Sequence, residues 1–232
     1  MTENNQATQN PQELKDKRQP FLDLPTRYDS WEPWVEFIAT FVLALATVAT
    51  AWSGFQSARW GGEQSTKFSQ AGALRTESTR ASTKAGQLVQ IDIGLFTNWI
   101  NAYAEDNSQL VNFYEKRFRE EFMPAFDAWL ATDPVNNPDS PPSPFTMPEY
   151  QISLAEEADR LTAEAENSFA EGDEANQISD RYVLNTVFLA SVLFLAGIQQ
   201  RFKSFIVKIS LVTFGLLILM YGLYNIITLP VI

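Results

Sequence analysis

The stretch WVEFIATFVLALATVATAWSGF, residues 34–55, decides the fold. It carries one charge, Glu36, in its first turn, and is long enough as a helix to cross the roughly 30 Å hydrocarbon core of a bilayer. Trp31, Trp34, Trp52 and Trp60 flank it, where interfacial aromatics belong. A signal peptide is the competing reading, with Ala49-Thr50-Ala51 as its cleavage site. The preceding residues are acidic and more than thirty long, against the short basic start of such a leader, so the helix is read as retained.

Two further segments match it: 182–198 (YVLNTVFLASVLFLAGI), and 205–229, which has no charge after Lys208. The fold class expected is all-α, with three transmembrane helices and an antiparallel helical bundle continuous with spans one and two. The basic turn 199–204 carries Arg201 and Lys203 without an acid, which places it in the cytoplasm. Residues 1–33 then form a cytoplasmic, unstructured tail, and 56–181 an extracytoplasmic helical domain. The localisation expected is a bacterial inner membrane, N-terminus inside and large loop outside.

Within 56–181 the period is helical. Leu74, Ala81, Leu88, Leu95 and Ala102 recur every seven residues, with Ala71, Ser78, Ala85, Asp92 and Trp99 offset by four. Gly61-Gly62 is the weak point, because two glycines inside a helix cost about 2 kcal/mol relative to alanine. A second helix is expected from Asn107-Ser108 through SQLVNFYEKRFREEF to Leu130, with a new turn at Pro124. Six prolines in 133–148 exclude helix there and predict an extended surface connection. An Ala/Glu-rich helix resumes near Glu149, with Gly172-Asp173 as a point of interruption.

Charge and inventory exclude much chemistry. The net charge of −11 argues against nucleic acid as a partner. It is concentrated in residues 132–180, where twelve Asp or Glu face the single Arg160, read as a solvated face rather than a cation site. The chain has neither cysteine nor histidine, so thiolate chemistry and histidine-dependent metal or triad sites are unavailable. No nucleotide, zinc-protease or nucleophile-elbow motif occurs. No enzymatic activity, catalytic residue, metal or cofactor is expected. Asp92, between Ile91 and Ile93 on the inward stripe, is the candidate ligand or ion contact. Its alternative role is a carboxylate neutralised by a neighbouring Arg, Lys or serine.

Thr40, Ala44, Thr47, Ala51, Gly54, Ala58, Gly61 and Ser65 line one face in steps of three and four, and small residues let helix backbones approach closely in lipid. Ala44, Ala51, Ala58, Leu74, Ala81, Leu88 and Leu95 are the expected helix-packing interface, in a homo-oligomer or against spans two and three of the same chain. Enlarging Ala46 or Ala49, off that stripe, is expected to matter little. The partners expected are the lipid bilayer, further copies of the chain, and a membrane-protein partner.

The run WVEFIATFVLALATVATAWSGFQSA, residues 34–58, followed by a long helical segment and two closely spaced C-terminal spans, resembles an uncharacterised family of bacterial three-span membrane proteins. A looser likeness is to the periplasmic four-helix sensor domains of chemoreceptors, although no signalling module follows span two. The resemblance implies topology and no catalytic residue. Three functions stay open: a structural or accessory membrane protein, an extracytoplasmic sensor acting through a partner, and an oligomeric cation-binding or pore-forming protein.

Overall fold

Apolar runs of this length hold their shape in lipid only as helices, since every backbone N–H and C=O must be satisfied inside the segment. The computed structural model describes residues 31–232, and among them it is all-helical with no strand. The unstructured tail expected over 1–33 lies, up to residue 30, outside the described residues. Five α-helices follow in order: α1 (Glu32–Ala104), α2 (Ser108–Glu115), α3 (Met123–Leu130), α4 (Ser153–Ile198) and α5 (Phe205–Thr228). Single 3-10 turns occupy Pro144–Thr146 and Gln199–Arg201. Three of these helices, α1, α4 and α5, are long and apolar enough to cross a membrane.

The described chain forms two compact units. One comprises the residues up to Arg59 with Ile178–Ile232, and the other Trp60–Gln177. In the first, three seams of buried residues share one rhythm. Val35, Ala39, Val42, Ala46, Ala49, Ser53 and Gln56 on α1 alternate steps of four and three. On α4 the seam is Ile178, Tyr182, Asn185, Leu189, Val192 and Ala196, and on α5 it is Lys208, Val212, Gly215, Leu219 and Gly222. This is the heptad spacing of knobs-into-holes packing. Small side chains bring the backbones close: a Cβ on Gly222 would lie 2.7 Å from Leu189 Cδ2. At the other end, Lys208 Nζ stands 3.7 Å from Glu36 Oε1.

In the second unit α1 and α4 pack again. Ser78 Oγ donates to the Ala158 carbonyl at 2.8 Å and lies 2.8 Å from Thr162 Oγ1. Lys67 pairs with Glu171 at 2.6 Å, and Phe68 stacks on Phe169 at 5.1 Å. Gly172 lets the helices approach here, since a Cβ would meet the Phe68 ring at 2.5 Å and force it to shift. Neither point of weakness singled out in the sequence breaks its helix; α1 runs through Gly61-Gly62 and α4 through Gly172-Asp173.

Two local expectations are corrected. The single helix expected from Ser108 to Leu130 is two, α2 and α3, separated by the irregular stretch 116–122. Asn107 does cap α2, its side chain accepting from the Leu110 N–H. The break follows from tertiary demand: Phe118 and Phe122 are both buried in an aromatic core, while Arg119 between them reaches α1. The proline-rich segment is a surface connection, as expected, but it is not extended. Its turns fold back so that Pro144 is buried and Phe145 stacks on Phe122 at 5.4 Å.

Candidate functional site

Asp92 occupies the inward stripe of α1 and is fully buried. An unpaired carboxylate there would be costly, and the irregular 116–122 stretch supplies its partner. Arg119 Nε donates to Oδ1 at 2.9 Å and Nη2 to Oδ2 at 2.8 Å, a two-pronged pair. The Tyr150 hydroxyl donates to Oδ2 at 3.1 Å. Arg119 Nη1 donates to Glu121 Oε2 at 2.6 Å, and Glu121 Oε1 accepts from the Ser153 hydroxyl at 2.5 Å. Five side chains thus connect α1, the stretch before α3, the end of the proline loop and the first residue of α4.

The electrostatics follow this chain of contacts. Hydrogen bonds to Asp92 raise the Arg119 guanidinium above its ordinary pKa, against the opposing effect of burial. Burial first, and then the Asp92 carboxylate, push the Tyr150 phenol upward. The Ser153 hydroxyl, and after it Arg119, hold the Glu121 carboxyl below its usual range. All three shifts favour the protonation states that keep the network closed at neutral pH. Both Asp92 oxygens are occupied, so the arrangement acts as a clamp between distant segments.

Beside the clamp lies an aromatic core of Phe96, Trp99, Phe118, Phe122, Phe126 and Trp129. Its rings meet mostly edge to face, as with Trp99 and Phe126 at 4.9 Å and 87°. The indole N–H groups are satisfied, Trp99 by Glu115 at 3.0 Å and Trp129 by the Pro141 carbonyl at 2.8 Å. The second bond pins the proline loop against α3. Between that loop and the end of α1 opens a groove of about 470 Å³, with Trp99 and Trp129 in its lining and the exposed Ile100, Tyr103, Leu130 and Val135 along it. Among the described residues no group of three or more Asp or Glu side chains could hold a metal ion.

The first unit contains a different polar assembly. Asn185, fully buried, donates through Nδ2 to Ser53 Oγ at 3.0 Å and to the Gly222 carbonyl at 3.2 Å. Its Oδ1 accepts from Asn225 at 3.3 Å. One amide therefore joins all three long helices. Gln56 exchanges hydrogen bonds with the backbone of Ile232, and the Tyr182 hydroxyl donates to the Pro230 carbonyl at 3.1 Å. Thr186 turns its hydroxyl back to the Val183 carbonyl.

The expected interface residues fall into two groups. Ala44, Ala51 and Ala58 are exposed on the outer face of α1, while Ala81 is buried and Leu74, Leu88 and Leu95 are half-buried in the second unit. Ala46 and Ala49, expected to be indifferent, lie in the core against Leu189, Val192 and Leu219. That expectation is overturned: the seam facing the chain's own spans is the one through Ala46, not the one through Ala44.

No family model matches the chain, and neither does any curated protein or solved structure.

Proposed function

We propose that the protein is a non-enzymatic, accessory membrane protein that self-associates through the outer small-residue face of its first span. The supporting observation is the division of labour on α1. Its own three-helix packing consumes Val42, Ala46, Ala49 and Ser53, leaving Ala44, Thr47, Ala51, Gly54 and Ala58 exposed. In lipid, close backbone approach along such a face is a main source of helix association, because no hydrophobic drive operates there. In this reading the Asp92 clamp is structural, and the second unit is an antiparallel extracytoplasmic bundle; the pairing of Lys67 with Glu171 and Ser78 with Ala158 supports the antiparallel part. The cytoplasmic placement of the 199–204 turn rests on its Arg201 and Lys203.

Native mass measurement in mild detergent tests the proposal. The unmodified protein should be an oligomer, and Ala44→Leu/Ala51→Leu should shift it toward monomer with thermal stability unchanged, since neither residue touches the chain's own core. A monomeric unmodified protein would end the self-association reading.

A second reading, a sensor acting through a partner, is favoured by the groove beside Trp99 and Trp129. Its mark would be a compound that quenches the emission of these tryptophans and is displaced by Tyr103→Ala.

A further inference from the structure

Within the first unit a cleft of about 410 Å³ is lined by Arg181, Leu184, Asn185, Tyr221, Asn225, Thr228 and Leu229. We propose that this cleft binds the headgroup phosphate of an anionic phospholipid, with Arg181 as the phosphate ligand and the exposed apolar side chains of α4 and α5 as the acyl-chain wall.

Four observations carry the inference. First, Arg181 is exposed and makes no ion pair or hydrogen bond with any described residue, a state it shares with Arg59, Lys84 and Arg201, but it is the one of these that lines the cleft. A guanidinium presents a planar fork of donors that matches two phosphate oxygens, and it stays charged at the edge of a bilayer. Second, Arg181 directly precedes the apolar run that begins at Tyr182, so its charge sits where a headgroup phosphate sits. Third, the rest of the lining divides by polarity as a lipid does. Tyr221 and Asn225 provide a hydroxyl and an amide donor, the Thr228 hydroxyl being given back to the Tyr224 carbonyl, while Leu184 and Leu229 are apolar, and the outward-facing Val187 continues the apolar surface one turn along from Leu184. Phe188 meets the Tyr221 ring edge to face at 5.3 Å and fixes that wall. Fourth, the lining contains no carboxylate. The ammonium of a zwitterionic headgroup would find only the face of the Tyr221 ring there and no opposite charge, which favours an anionic one.

A solitary interfacial arginine can also keep its charge in water by extending its side chain, with no bound lipid. The two cases separate experimentally. Full-length protein in a maltoside detergent is titrated with phosphatidylglycerol, with phosphatidylcholine and with soluble glycerophosphate, reading bound mass by native mass spectrometry and thermal stability by linkage. Phosphatidylglycerol should bind at one site per chain and raise the melting temperature, with phosphatidylcholine about tenfold weaker. Arg181→Gln should lose that preference and about tenfold in affinity, while Arg201→Gln at the opposite end of the spans should lose neither. Thr228→Leu, which fills the cleft and keeps the charge, should weaken binding as well; it decides the matter if Arg181→Gln does not fold. Equal binding of the two lipids, or unchanged binding in the variant that folds, would overturn the proposal. Protection by glycerophosphate alone would show that the cleft takes a free phosphodiester and would overturn the assignment to a lipid.

Discussion

Replacing Arg119 with methionine removes both prongs from a carboxylate that is 0% exposed and leaves Asp92 only the Tyr150 hydroxyl. Breaking a buried ion pair from one side costs about 3–5 kcal/mol, because a charge remains without its partner. Arg119 itself is 18% exposed, so water can follow the methionine in, and the loss falls at the lower end, about 3 kcal/mol. Hydrogen exchange across residues 88–102 measures this locally, without assuming that both units unfold together. Amides there should exchange about a hundredfold faster, with those of the first span unchanged. In an Asp92→Asn background the carboxylate charge is gone, and Arg119→Met should then cost only about 1 kcal/mol. The difference, about 2 kcal/mol, is the coupling between the two side chains. An acceleration below about fivefold in the single variant, or the same acceleration in both backgrounds, would refute the clamp.

Other consequences follow from the same packing. Ala46→Leu inserts three carbons where Ala46 is 0% exposed, and should cost about 1–3 kcal/mol in thermal unfolding, whereas Ala44→Leu should not. Gly222→Ala should lower the melting temperature through its clash with Leu189, while Gly197→Ala, with nothing within 4 Å, should leave it unchanged or raise it. Glu121 has a lowered carboxyl pKa, so its stabilising share is present at neutral pH and is lost as pH falls from the ordinary value of 4.5 through the folded one. Exchange near Ser153 should accelerate over that acid range, and Glu121→Gln should flatten the response. Single cysteines at Asp139 and Ser204, in a chain that has none, should react with an impermeant thiol reagent on intact cells at 139 and not at 204; the reverse would invert the proposed topology.

The three long apolar helices are readable because length and apolarity act locally, and the seven-residue rhythm of α1 is readable because it is strict. The rhythm also placed Asp92 on the inward face. It could not supply Arg119, which lies 27 residues away in a stretch whose Glu, Lys and Arg favour helix. There the burial of Phe118 and Phe122 overrides local preference and breaks the helix. In the first span small residues surround the helix, so periodicity found a face without telling which of two faces meets α4 and α5. The groove beside Trp129 has one sequence signal: Trp129 stands just before a segment with six prolines, a composition suited to aromatic–proline packing, whereas Trp99 and Tyr103 join it only through the fold.

Asn185 bears on how the protein is made. On the proposed membrane reading, Ser53 is already present in α1 when α4 enters the bilayer, but the Gly222 carbonyl and Asn225 arrive only with α5. A chain halted after residue 204 would hold an asparagine in apolar surroundings with one of its three partners. Each missing bond to a buried polar group costs about 1–3 kcal/mol. The third span thus completes the membrane integration of the second, and nascent chains of increasing length should resist alkaline extraction fully only once residue 225 has emerged from the ribosome.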